Sequence, residues 1–244
     1  MRIIRSLVFN GFFWVCTPLW ILLVMTPLSF LKSPAPMRKA IYIWIDLCIR
    51  LLDIIGGIKI REYGLENIPK DQGFILCFKH MSNLDALIAY RRLPHLTAMA
   101  KIQLFRVPGL RQVLTKMKVV PVDRGAGSAQ KNTEQLTRLL VEEKMPLLLF
   151  VEGTRIKVGQ RKKLKSGAYF MQKDTGLPVI CVSTNAGLFW TKGSPVNRLG
   201  TISVKYHPAL EPGLDKDEFM QKLKENVVID SEKLMGVPFL GEEE

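Results

Sequence analysis

Phe74-Ile75-Leu76-Cys77-Phe78-Lys79-His80-Met81-Ser82-Asn83-Leu84-Asp85 sets five apolar residues in a row against a polar turn carrying a histidine, a serine and an aspartate. The apolar run is too short for a buried helix and predicts a strand. Ser82 or Asn83 then has the side chain to cap a new helix, and Leu84 to Tyr90 supplies one. Position matters here, because ligands of open α/β sheets bind beyond the carboxyl ends of strands, where His80 would stand.

Outward from this stretch the same alternation continues. Strands are predicted at Ile58 to Glu62, Leu96 to Ala100, Lys118 to Val122, Leu147 to Val151, Pro178 to Ser183 and Thr201 to Tyr206. Helices are predicted at Ser128 to Lys144, Ser166 to Lys173 and Asp215 to Leu234. Together they predict an α/β domain over residues 58–244, a mixed and largely parallel sheet flanked by helices. No internal repeat or low-complexity tract interrupts it.

Ahead of Gly56-Gly57 the chain changes character. Leu7 to Leu31 holds no charged side chain, and a helix of that length exceeds the roughly 30 Å of a bilayer's hydrocarbon. A cleaved signal peptide is the alternative, but the run is longer than the usual apolar core and no small-x-small site closes it. Basic residues flank it on both sides, Arg2 and Arg5 before, Lys32, Arg38 and Lys39 after, so charge leaves its orientation open. Pro18 and Pro27 interrupt the run, which makes a bent helix or a hairpin dipping into one leaflet as acceptable as a straight crossing. Met37 to Ile55 reads as a second helix whose charges, Lys39, Asp46, Arg50 and Asp53, keep to a narrow stripe. It belongs at the membrane boundary or against the first helix, with a buried core helix as the alternative. Residues 1–57 are thus expected to form a membrane-embedded two-helix extension.

Composition narrows the partners. The 244 residues are 48% hydrophobic, which excludes a disordered chain or a disulfide miniprotein. Thirty-five Lys and Arg against twenty-two Asp and Glu leave +13, a charge that asks for an anionic partner. Nucleic acid suits the charge but not the apolar amino end, whereas membrane phospholipid suits both. Cys16, Cys48, Cys77 and Cys181 are scattered, with no His at zinc spacing, so they read as buried thiols and no metal is expected.

Two constellations carry chemistry. His80 and Asp85 can fold back on one another, the acid holding one ring nitrogen while the other takes a proton. His95 lies in a polar loop and His207 at a strand end before Pro208, and both read as solvated or structural. The second constellation is a pair of strand ends, Val122-Asp123-Arg124-Gly125 and Val151-Glu152-Gly153-Thr154-Arg155. Each joins a glycine turn to an arginine whose donor fork matches a phosphate, although one block alone would equally be a surface salt bridge. Lys157, Arg161, Lys162, Lys163 and Lys165, with Lys101, Arg106, Arg111, Lys116 and Lys118, form basic stretches that suit a solvated face or anionic headgroups.

Taken in order, these blocks resemble the glycerolipid acyltransferase family, in particular its bacterial 1-acyl-sn-glycerol-3-phosphate branch. His80-Met81-Ser82-Asn83-Leu84-Asp85 looks like that family's His-x4-Asp signature. Lys101 to Phe105 with Pro108-Gly109, Val122 to Gly125, Glu152 to Arg155, Lys165 to Ala168 and Pro178 to Gly187 are similar to its later blocks, over about Ile58 to Pro212. Lys79 stands where an Asn often precedes the histidine, Gln103 replaces a frequent Glu, Val151 a Pro, and Cys181 interrupts a usual Val-Pro-Val.

The resemblance implies the glycerolipid acyltransferase fold and acyl transfer from an acyl carrier protein or coenzyme A thioester to lysophosphatidic acid, giving phosphatidic acid. It makes His80 the general base and Asp85 its orienting partner. It places Lys101, Arg124, Glu152, Gly153, Thr154 and Arg155 on the substrate. It implies no resident cofactor, the thioester being a co-substrate, and a membrane location, at the cytoplasmic face of the inner membrane in a bacterium. A covalent route through Ser82 or Cys181 is the weaker chemistry. Another lyso-lipid such as lyso-ornithine lipid, or a non-catalytic tether for anionic lipid, are the alternative functions.

Overall fold

The computed structural model describes residues 2–122, 129–191, 198–237 and 241–242. It opens with a helical hairpin. Helix α1 (Arg2–Trp20) runs through a π turn at Ile21–Met25 into α2 (Thr26–Ser29), and α3 (Ala35–Ile54) returns along it. Pro27 has no N–H to offer the preceding turn, and the ladder widens there. Thr26 closes the widened turn on the Ile21 carbonyl with both its backbone N–H and its hydroxyl, the latter at 2.8 Å. Trp44 of α3 stacks between Phe12 and Trp20, at 5.6 and 5.3 Å.

Ile3–Ser29 is long and apolar enough to cross a membrane. Leu7, Trp14, Leu19 and Leu23 point outward from it, more than half or nearly half exposed, as do Tyr42, Ile43 and Leu47 from α3. A continuous apolar face of that extent is unlike a water-facing surface and suits lipid.

The strands are β1 (Ile58–Tyr63), β2 (Ile75–Phe78), β3 (Thr97–Lys101), β4 (Val120–Val122), β5 (Leu147–Phe150), β6 (Gln160–Arg161), β7 (Val179–Thr184), β8 (Gly200–Tyr206) and β9 (Gly241–Glu242). Seven of them make one sheet in the order β1-β8-β7-β2-β5-β3-β4, while β6 and β9 pair apart. Every pair in the sheet is parallel except β7 with β8. The mixed, largely parallel sheet predicted from the alternation is present, and β2 lies at its centre.

Flanking helices are α4 (Leu84–Arg92), α5 (Leu110–Lys116), α6 (Ala129–Val141), α7 (Gly167–Thr175), α8 (Lys216–Leu223) and α9 (Asp230–Met235). Asp215 caps α8 by accepting the N–H groups of Asp217 and Glu218, both at 2.9 Å. A π turn at Lys224–Ile229 joins α8 to α9. The strand expected from Lys118 begins at Val120, because Lys118 takes a left-handed φ of 58° that no strand permits. Helix α5 was not expected from the sequence, and Ser128, expected to open α6, lies outside the described residues.

Successive β2 residues alternate between two cores. Leu76 and Phe78 join α4, Trp190 and Phe9 of α1 on one face, while Ile75 and Cys77 join α6, α7 and α8 on the other. Phe9 and Phe13 meet the Trp190 ring edge-on at 5.4 and 4.8 Å, which brings the first helix into the core of the sheet. On the hairpin's other side Gly109, with φ 77°, brings α5 against it: a Cβ there would lie 2.9 Å from Thr26 Oγ1. Lys116 donates to the carbonyls of Leu31 and Lys32. The four cysteines are free, and Cys16 is half-buried rather than buried as expected.

Candidate active site

His80 follows the end of β2 and Asp85 opens α4, and between them the chain doubles back. Asp85 is fully buried and its Oδ2 accepts the backbone N–H groups of Met81 and Ser82, both at 2.8 Å, as well as meeting His80 Nδ1 at 2.9 Å. An oxygen already accepting two N–H bonds is an acceptor for the third, so Nδ1 carries the ring proton and Nε2 the lone pair. The ring lies flat on Phe150 of β5, centroids 3.8 Å apart and planes within 15°. Ser82 serves the local structure, for its hydroxyl donates to Trp190 O at 2.7 Å and accepts from Leu84 N at 3.1 Å.

The turn after β5 folds around His80 from the neighbouring strand. Glu152 Oε2 accepts the His80 N–H at 3.1 Å and Ile156 N–H donates to the His80 carbonyl at 2.9 Å, so the backbone is held on both sides of the His80 Cα. Gly153, with φ 70°, permits the tight turn between them. Arg155 ends with its Nε donating to His80 Nε2 at 3.3 Å. An unprotonated ring nitrogen, an orienting carboxylate and a guanidinium engaged on that same nitrogen can serve as an acid–base site beside an anion site.

Beneath the turn lies a dry ion pair. Lys79 Nζ and Glu152 Oε1 are 3.5 Å apart, each side chain 1% exposed or less. Burial pushes the Glu152 carboxyl up to about 7 and pulls the Lys79 ammonium down, each against the attraction of the other. Glu232 of α9 faces the pair while held by Arg161 through two bonds of 2.9 and 2.6 Å.

Of the residues expected at the site, His80, Asp85, Glu152, Gly153 and Arg155 come together, with Thr154 half-buried in the same turn. Lys101 is exposed at the end of β3, two strands from β2 at the same carboxyl edge of the sheet. Arg124 lies outside the described residues. Cys181 is buried within β7 and burial pushes its thiol up to about 12, which leaves no thiolate for the covalent route. His207 is buried too, its Nε2 3.0 Å from Ser183 Oγ and 3.3 Å from Asp230 Oδ2, tying the C-terminal helices to the sheet. Sequence reasoning missed Phe150, Ile156 and the role of Lys79. Only Lys79 left a signal, as a charge where an apolar strand enters the core.

A model of the Acyltransferase family matches residues 59–185, which along the chain runs from β1 through β7 and includes both halves of this site. The chain belongs to that acyltransferase family. Among its relatives, a 1-acyl-sn-glycerol-3-phosphate acyltransferase of Pseudomonas aeruginosa is 32% identical over 189 residues, covering 75% of this chain and 73% of that one. One of the same name from Borreliella burgdorferi is 30% identical over 174 residues, 70% and 69% of the two chains. The crystal structure of a 1-acyl-sn-glycerophosphate acyltransferase from Thermotoga maritima superposes with a TM-score of 0.78 over 96% of this chain and 98% of its own, at 22% identity, and so shares its fold.

Proposed function

We propose that this acyltransferase moves an acyl group from an acyl carrier protein or coenzyme A thioester to the free hydroxyl of 1-acyl-sn-glycerol-3-phosphate, making phosphatidic acid. The observation that carries the reading is the His80–Asp85 couple, with Nε2 unprotonated and an arginine against it. The names of the bacterial relatives supply the acceptor.

In this reading His80 Nε2 takes the proton of the acceptor hydroxyl as its oxygen attacks the thioester carbonyl. Asp85 keeps Nδ1–H in place and offsets the charge of the imidazolium. Collapse of the tetrahedral adduct breaks the C–S bond, and the imidazolium returns its proton to the departing thiolate. A thioester is already activated, so neither an enzyme nucleophile nor a resident cofactor is invoked. Arg155 holds the acceptor phosphate, with Lys101, Arg124, Gly153 and Thr154 proposed to help, and Glu152 anchors the base.

Lipid supplies the acceptor and receives the product. The apolar hairpin supports a membrane mooring, on the cytoplasmic side if the chain is bacterial, where thioester donors reside. A cleft of about 490 Å³ beside edge strand β4, rimmed by Arg106, Arg111, Lys118 and Arg138 over Ile102, Phe105 and Leu139, suits anionic phospholipid headgroups. Thiol release by the purified protein, with thioester and with or without lysophosphatidic acid, tests the function. Acceptor-dependent release is expected, and its absence with both carriers rejects the reading.

A further inference from the structure

We infer that Lys79 is a positioning residue for acyl transfer: its ammonium fixes the Glu152 carboxylate in the orientation that anchors the His80 backbone. This rests on the reading of His80 as the base and adds a residue that touches neither substrate.

The geometry divides Glu152 in two. Oε1 faces Lys79 Nζ at 3.5 Å, and Oε2 receives the His80 N–H at 3.1 Å. Rotating the carboxyl out of this plane would pull one oxygen from the His80 N–H as it pulled the other from the ammonium, and the cation opposes that rotation. Lys79 directly follows β2 and precedes His80, and among the described residues its ammonium pairs with Glu152 rather than with the imidazole. Its Nζ has no hydrogen-bond partner among the described residues, and neither has Glu152 Oε1. Two charges sealed from water without short hydrogen bonds make a poor stability device, since apolar side chains of similar volume commonly do as well or better. What a fixed charge offers instead is orientation. Removing one member alone leaves the other uncompensated, whereas neutralising both does not.

The test uses the full chain in detergent micelles with lysophosphatidic acid and acyl thioester, comparing Lys79→Met, Lys79→Arg and the double variant Lys79→Met/Glu152→Gln with wild type and His80→Ala. Melting temperature, kcat, acceptor KM and amide exchange over residues 79–83 are read for each. Lys79→Met should lose about 10–100-fold in kcat, the cost of a small misplacement of a reacting group, with acceptor KM little changed. Its His80 amide should exchange faster. Lys79→Arg, which restores the charge, should recover most of the kcat.

A folded Lys79→Met with wild-type kcat, a change confined to KM, or unchanged exchange over 79–83 overturns the proposal. If Lys79→Met does not fold, the double variant decides: it should fold with reduced kcat, and full kcat there overturns the proposal as well. An inactive wild type, or an active His80→Ala, rejects the reading of His80 itself and this proposal with it. Active wild type, inactive His80→Ala and fully active Lys79→Met reject this proposal alone.

Discussion

Arg155 donates its Nε–H to His80 Nε2 across 3.3 Å. The group that would grip a phosphate and the nitrogen that would take a hydroxyl proton therefore occupy each other. An arriving acceptor has to separate them, and its phosphate is the group that can draw the guanidinium away. Arg155→Ala should raise the acceptor KM on the order of 10–100-fold, the cost of a charge-assisted pair, while use of a monoacylglycerol lacking phosphate stays as it is. Steady-state rates with both acceptors check this, and equal KM values for wild type and variant would count against the clamp.

His80→Ala should keep the fold and vesicle binding and lose on the order of 10²–10⁴ in rate. Asp85→Ala should lose activity and stability together, because the buried oxygen it removes also accepts two backbone N–H groups. Thermal melts beside rate measurements separate the two variants. Comparable melting points for them would contradict the structural part of Asp85's role.

Glu152 gives a pH dependence whose sign can be worked out. Folding raises its carboxyl to about 7, above the roughly 4.3 of a glutamate in the unfolded chain. Between those values the folded chain keeps a proton that the unfolded chain has released, so this group's contribution to stability falls as pH rises through the window. Below it both states are protonated and the difference vanishes. Lys79, lowered by the same burial, acts with the opposite slope but toward alkaline pH. Arg161 and Glu232, also facing the pair, bind each other. Glu152→Gln should therefore gain on the wild type in melting temperature between about pH 5 and pH 7.5, and a constant difference across that range would refute the assignment.

Leu19→Glu/Leu23→Glu places two charges on the outward face of the first helical run, at side chains about half or more exposed. Flotation with phosphatidylglycerol-containing vesicles should drop sharply while the melting temperature in detergent stays level. Retained flotation would move the lipid contact elsewhere.

Gly109→Ala tests the joint between α5 and the hairpin. The added methyl would meet Thr26 Oγ1 at 2.9 Å in a residue whose φ is 77°, so a loss of about 1–3 kcal/mol is expected. Denaturant melts read it directly, and an unchanged midpoint would mean the two elements separate freely.

The sheet was legible in the sequence because parallel strands buried on both faces are continuous apolar runs, as at Phe74 to Phe78 and Pro178 to Ser183. Strand order and the reversed direction of β8 were not, since both depend on pairing between residues far apart. Helix α5 was hidden because seven residues hold too few turns to show a period, and β6 with β9 because two residues hold none. In the site, His80 and Asp85 were readable from five-residue spacing after a strand. Lys79 was read only as a departure from a family pattern. Its partner sits seventy-three positions away, and only the β2–β5 register brings them together.

Trp190 touches Phe9 and Phe13 with its ring while its carbonyl receives the Ser82 hydroxyl. One indole thus couples the part of the molecule that meets oil to the loop that bears the reacting nitrogen. The first helix and the His80 loop are thereby fastened to one residue, so a displacement of the helix is transmitted to the loop.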